Sequence, residues 1–210
     1  MYAASAIYTR RNLRYNKNRF FKVKFERDLF MKIYAARHGQ TEWNLNDRIC
    51  GRTDIELTET GRQQALQLAE KAYEKGDIDL IVCSPMKRAR DTAKAVADKI
   101  GCEVTIDERL IEWDYGDYEG KDRTAEGFAQ NKIEFGVKMH GGGESVLQLA
   151  HRVYSVIDDV IAKHPDKNVL LVCHGGVCRI IETYFNDLST HDYSNFFMGN
   201  CELREYFVKK

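Results

Sequence analysis

The stretch Met31–Asn44, MKIYAARHGQTEWN, decides the reading of this chain, because an apolar run of strand character stops abruptly at Arg37-His38-Gly39. A short strand that ends in a glycine puts the neighbouring residues at the carboxyl edge of a sheet, where open α/β sheets bind ligands. His38 is therefore the first candidate for chemistry. Arg37 supplies a fixed forked cation, Gly39 lets the backbone come close to a ligand, and Thr41 and Asn44 offer short polar arms. Together these groups suit a phosphoryl anion. A histidine after a strand is also a common structural residue, so the reading depends on partners elsewhere in the chain.

A chain of 210 residues is long enough for one domain with a sizeable core, and two compact domains would be cramped. Charged residues make up 30% and apolar residues 43%. No uninterrupted apolar run approaches the roughly 18 residues of a membrane helix, and no signal-peptide core is present. Cys50, Cys83, Cys102, Cys173, Cys178 and Cys201 are scattered without a CxxC pair, as free thiols in a reducing compartment would be. A soluble, cytoplasmic protein is expected.

The formal charge of zero hides an asymmetry: residues 1–30 hold eight Lys/Arg against two Asp/Glu, and residues 31–210 hold 24 against 30. The basic opening is read as an unstructured leader or a misassigned start outside the core, with Met31 the natural beginning. A surface-binding basic arm and a targeting sequence are the alternatives, the last weakened by Glu26, Asp28 and the scarcity of serine. The segment is given no function, and residues 31–210 are taken as one catalytic domain.

Beyond the first strand, Leu45–Leu57 reads as loop. Thr58 caps a helix to about Lys75 with Ala65, Leu68, Ala69 and Ala72 on one face and Gly76 past its end. Ile78–Cys83 is a short strand, and a helix with Ala89, Ala93 and Val96 inward follows Pro85 as far as Ile100. Glu103–Ile106 reads as another strand, and Arg123–Phe135 as a helix inside an irregular stretch that closes on Gly141-Gly142-Gly143. Ser145 to Lys163 is a helix with Val146, Leu149, Val153, Val156, Ile157 and Val160 inward. NVLLVC at 168–173 is a buried strand, His174-Gly175-Gly176 opens a helix to about Asn186, and Glu202–Val208 alternates like an edge strand. This alternation predicts a three-layer α/β/α sandwich around a mostly parallel sheet.

Three strand ends then present Arg37-His38-Gly39, Ser84-Pro85 with Arg88 one turn on, and His174-Gly175-Gly176. If these strands are parallel, the ends converge. Two histidines and two arginines in one pocket repel one another unless an anion sits among them, which points to a phosphate dianion, and the helix opening at Gly175 adds backbone N–H donors. The acid comes from LIEWDYGDYEG at 110–120, where Glu112 beside Trp113 is chosen over Asp114, Asp117 and Glu119. One carboxyl can protonate a leaving group and later deprotonate water if burial and a nearby dianion raise its pKa.

RHGQTEWN at 37–44, SPMKRARDT at 84–92, LIEWDYGDYEG at 110–120, GGES at 142–145 and VCHGG at 172–176 together resemble the histidine phosphatase superfamily, also called phosphoglycerate mutase-like. The resemblance runs in family order from about Met31 to Val208. It implies that His38 is a nucleophile phosphorylated transiently on a ring nitrogen, and that Arg37, Arg88 and His174 bind the phosphoryl oxygens. It also implies that Asn44 assists and that Glu112 donates the proton, with no metal or cofactor. The expected partner is a small phosphate ester, without nucleic acid or membrane.

Several rivals arise from the same residues. Cys173 and Arg179 fit the Cys-x5-Arg spacing of cysteine-dependent phosphatases, but Val172 and Ile180 stand where that family has a histidine and a Ser/Thr, and Arg37, His38 and Glu112 go unused. Asp77-Ile78-Asp79 mimics paired metal-binding aspartates, yet precedes its strand. A non-catalytic phosphoprotein-binding module would need the arginines without His38 and Glu112. Within the family reading, the short segment from Glu112 to Gly141 favours a roomy, water-accessible phosphatase over a mutase. Its basic residues Lys121, Arg123, Lys132, Lys138 and His140 are taken as solvated surface groups. The substrate itself and the oligomeric state are not legible.

Overall fold

The computed structural model describes residues 29–210, so the readings of the basic leader fall outside it except at its last two residues. The apolar run before His38 forms β1 (Phe30–Arg37), which begins at Phe30 by pairing with Lys209. It is followed by α1 (Glu42–Leu45), α2 (Glu59–Lys75), β2 (Leu80–Cys83), α3 (Lys87–Ile100) and β3 (Glu103–Ile106). Then come α4 (Phe128–Asn131), α5 (Val146–Lys163), β4 (Val169–Cys173), α6 (Gly175–Phe185), α7 (Thr190–Asn195) and β5 (Leu203–Lys209).

The five strands lie in the order β3-β2-β4-β1-β5, with β3, β2, β4 and β1 mutually parallel and β5 antiparallel on the edge beside β1. Successive side chains of a strand point to opposite faces, and both faces of this sheet are covered. Ile33, Ala35, Leu80, Val82, Val169 and Leu171 pack with α5 and α6, while Tyr34, Ala36, Ile81, Leu170 and Val172 pack with α2 and α3. The three-layer α/β/α architecture read from the sequence is the one observed.

Local chemistry sets the helix bounds. Thr58 Oγ1 accepts from Gly61 N, and Gly76 closes α2 in the left-handed conformation at φ 66°. Ser145 and Gln148 form a reciprocal capping box that starts α5, and all six of its expected inward residues are buried. Each is worth about 1.5–3 kcal/mol of transfer free energy.

Two expectations need correction. The helix expected over Arg123–Phe135 shrinks to the single turn α4, because Gly127 takes a left-handed φ of 76° that interrupts the α repeat. Phe128 instead anchors the segment by stacking near Tyr115 and Tyr118, with centroids 5.5 and 5.2 Å away. Gly39 serves helix packing instead of ligand approach: a side chain there would meet the Gly61 carbonyl, and one at Gly61 would meet that of Gln40. This reciprocal contact seats α2 against the turn that carries His38.

Candidate active site

Because β1, β2 and β4 are parallel neighbours, their carboxyl ends meet at one edge. His38 N donates to Cys173 O at 2.9 Å and Ser84 N to Val172 O at 3.0 Å, which ties the three ends together one residue beyond the ladder. Arg37, His38, Asn44, Glu112 and Gly175 line a cleft at this edge. Arg88 and His174 are fully buried beside them.

The His38 ring is fixed on both sides. Nδ1 lies 2.7 Å from Gly39 O, a partner that can only accept, so Nδ1 carries the proton. Arg88 Nε donates to His38 Nε2 at 3.2 Å, which leaves Nε2 as the bare nitrogen. Burial above all, and then the charges of Arg88 and Arg37, hold the imidazole well below its usual pKa. His38 is thus a neutral imidazole presenting Nε2, as a nucleophile requires.

The cations are held chiefly by backbone carbonyls, and one carboxylate, the half-exposed Asp54, stands 3.8 Å from Arg88 Nη1. Arg88 donates from Nη1 to Thr53 O at 2.9 Å and from Nη2 to Gly51 O at 2.7 Å. Arg37 donates from Nη1 to Met198 O at 2.9 Å, and its Nε is buried without a partner. His174 Nε2 meets Ser84 Oγ at 2.7 Å, its Nδ1 is likewise unpartnered, and its ring stands edge-on to His38 with centroids 5.1 Å apart. Burial, then Arg88, His38 and Arg37, push the His174 pKa well down. Carbonyls satisfy these guanidinium donors without neutralising their charge, and the solvent-exposed Asp54 offsets Arg88 only in part, so positive potential remains for an anion.

Asn44 Oδ1 accepts from Thr41 N at 3.2 Å and from Asn200 Nδ2 at 3.3 Å, so its own Nδ2 stays available as a donor. Thr41 is not a second polar arm. Its hydroxyl accepts from Asn44 N at 3.3 Å as the other half of a capping box.

Glu112 is 3% exposed. Oε1 accepts from Trp113 N at 2.8 Å and Val177 N at 3.3 Å, and Oε2 from Gly176 N at 3.0 Å. A side chain at position 176 would lie 2.7 Å from Glu112 Oε1, so glycine there makes room for the acid. The backbone behind Glu112 is clamped by Arg152, which donates to Ile111 O at 2.6 Å and Glu112 O at 3.1 Å and pairs with Glu144 at 2.7 Å. Glu144 lies within the GGES motif, but nothing local marks Arg152, two turns into α5, as its partner.

Residues 33–209 match the model of the histidine phosphatase superfamily, branch 1. The chain belongs to this family. An acid phosphatase of Mycobacterium tuberculosis is 36% identical over 176 residues, 82% of this chain and 84% of that protein. Phosphoglycerate mutase-like protein 4 of Arabidopsis thaliana is 34% identical over 160 residues, 71% of this chain and 69% of that protein. The solved structure of a mycobacterial glucosyl-3-phosphoglycerate phosphatase superposes with a TM-score of 0.74 at 29% identity, covering 84% of this chain and 89% of the other.

The geometry of this histidine phosphatase leaves the cysteine-dependent and paired-aspartate readings without a site. Cys173 is fully buried with its sulfur 3.4 Å from that of Cys178, and burial, then Cys178 and Glu112, push its thiol well above the usual range. Asp77 and Asp79 lie at the amino end of β2, opposite the cleft, where Asp77 pairs with Lys32 at 2.8 Å and Asp79 accepts from Asn168 N at 2.8 Å. Of the five basic residues read as solvated, Arg123 and Lys132 line the cleft, while His140 pairs with Asp117 at 2.9 Å. Arg179 joins them from α6, a placement that sequence reading missed.

No helix among the described residues is long and apolar enough to cross a membrane.

Proposed function

We propose that the chain is a metal-independent phosphatase that hydrolyses small phosphate monoesters through a phosphohistidine on His38, and that residues 31–210 are its catalytic domain. The observation that carries this is the fixed tautomer of His38, with Nδ1 on a carbonyl and Nε2 beside Arg88. Arg37, Arg88, His174, Asn44 and the N–H at Gly175 receive the phosphoryl oxygens. Nε2 attacks phosphorus, the ester bond to the leaving oxygen breaks, and Glu112 gives that oxygen its proton. Water then attacks the phosphohistidine, Glu112 takes a proton back, and phosphate leaves with neutral His38 restored. The cations are fixed before the reaction begins, so stabilising the transferring group needs no reorganisation.

Phosphatase is favoured over mutase by the phosphatase names of the Mycobacterium tuberculosis relative and the solved neighbour, and by the short segment between Glu112 and Gly141. The six unpaired cysteines suit a reducing cytoplasm. Phosphorus NMR in EDTA with 3-phosphoglycerate and a trace of 2,3-bisphosphoglycerate decides between the two. Growing inorganic phosphate is the expected result, and 2-phosphoglycerate accumulating without free phosphate would make the enzyme a mutase.

A further inference from the structure

Ser84 sits between the end of β2 and the ring of His174, and both residues are fully buried. Its N–H donates to Val172 O at 3.0 Å, which fixes it two residues short of His174 along β4. Pro85 has no N–H, and the next donor along the chain, Met86 N, reaches back to Ser84 Oγ at 3.3 Å at the start of α3. On its other side Oγ lies 2.7 Å from His174 Nε2. Burial, then Arg88, His38 and Arg37, hold the His174 imidazole neutral, so one ring nitrogen carries a proton and the other is bare.

A hydroxyl has one proton to give and two lone pairs with which to accept. Met86 N can only donate, so it occupies one lone pair of Ser84. If His174 Nε2–H occupied the other, the Ser84 proton would have no acceptor among the described residues, at a cost of about 1–3 kcal/mol for a buried donor. With the Ser84 proton on a bare Nε2 the hydroxyl is satisfied, and the imidazole proton falls to Nδ1, the ring nitrogen without a partner in the protein. A phosphoryl dianion offers only acceptor oxygens, which Nδ1–H can meet and a bare Nδ1 would repel. We propose that Ser84 is a positioning residue of the phosphoryl site, whose hydroxyl holds His174 as the Nδ1–H tautomer so that this ring serves as a hydrogen-bond donor. This rests on the phosphatase reading, in which His174 receives a phosphoryl oxygen. The two buried imidazoles are thereby set in opposite senses. Gly39 O leaves His38 with a bare nitrogen for attack, and Ser84 takes up the bare nitrogen of His174.

Long-range proton–nitrogen NMR of the full chain carrying isotope-labelled histidine tests it at neutral pH, with the His174 ring identified by its loss in His174→Gln. The expected spectrum has Nδ1 protonated and Nε2 bare, and the Nδ1 proton shifts when inorganic phosphate is added. Ser84→Ala should move the ring toward the Nε2–H form and weaken calorimetric binding of inorganic phosphate about fivefold to tenfold, the scale of one hydrogen bond. The kcat/KM for p-nitrophenyl phosphate should fall by a similar factor. A His174 ring protonated on Nε2 in the unaltered protein overturns the proposal, and that measurement does not depend on whether Ser84→Ala folds. An unchanged tautomer or an unchanged phosphate affinity in folded Ser84→Ala overturns it as well. Turnover of p-nitrophenyl phosphate by the unaltered protein judges the phosphatase reading separately. No turnover, with the expected tautomer and phosphate affinities, rejects that reading and keeps Ser84 as the group that sets His174 for an oxyanion. Brisk turnover with Nε2 protonated rejects the role of Ser84 and keeps the phosphatase.

Discussion

Arg88 Nε donates a hydrogen bond to His38 Nε2 at 3.2 Å, so the nitrogen assigned to attack phosphorus is held by a buried cation. That cation is pinned by Gly51 O and Thr53 O. A phosphoryl oxygen arriving at Nε2 would take over the same N–H, which couples substrate binding to unmasking of the nucleophile. Arg88→Ala should lower kcat/KM for p-nitrophenyl phosphate by about 10²–10³, the scale of a lost transition-state donor. Arg88→Lys should recover only part, because one ammonium cannot span His38 and both carbonyls. Full recovery by lysine would reduce the role of Arg88 to bare charge.

His38→Ala should abolish turnover together with acid-labile phosphoryl labelling of the protein. Cys173→Ser should keep both, since the buried thiol takes no part. The opposite pattern in rapid-quench labelling would return the cysteine mechanism.

For Glu112, the decisive quantity is how the loss depends on the leaving group. Glu112→Gln should slow alkyl phosphates far more than p-nitrophenyl phosphate, whose leaving group needs little protonation. It also turns an amide N–H₂ toward a backbone N–H, a mismatch of about 1–3 kcal/mol in stability. Gly176→Ala reaches the same end by a different path. Its methyl would displace Oε1, so the same leaving-group dependence should appear with the carboxyl group intact. Equal slowing of both ester classes would argue against Glu112 as the acid.

The two buried histidines set an acid limit on stability. His38 and His174 are held neutral in the fold far below the usual imidazole range near 6.5. As pH falls through about 6.5 the unfolded chain takes up protons that the folded chain refuses, and stability is lost by up to about 1.4 kcal/mol per pH unit for each ring. Above that pH both states are neutral and the effect vanishes. Between pH ~6.5 and ~5, before ordinary carboxylates near 4 titrate, His38→Gln should halve the slope in urea unfolding. An unchanged slope would mean that His38 is protonated in the fold.

The strands and helices were legible where burial is uniform and caps are local. The residues 80–83 and 169–173 are apolar throughout, and Thr58, Gly76, Ser145 and Gly101 mark helix ends through contacts within a few residues of chain. The stretch from Lys121 to His140 was not legible, because its shape follows from Phe128 packing against Tyr115 and Tyr118 and from the left-handed Gly127, which interrupts any period.

The sequence by itself named the proposed catalytic set: Arg37, His38, Arg88, Glu112 and His174 each sit at or just beyond a strand end or in a compact motif, so local pattern picks them out. Only the tertiary structure decided which nitrogen of His38 is left bare, since Arg88 comes from a separate helix and its Nε reaches Nε2 only after folding. It also drew Arg123, Lys132 and Arg179 to one mouth and set Arg152 behind Glu112. Such contacts join residues tens of positions apart, and no spacing rule along the chain encodes a hydrogen bond between separate layers.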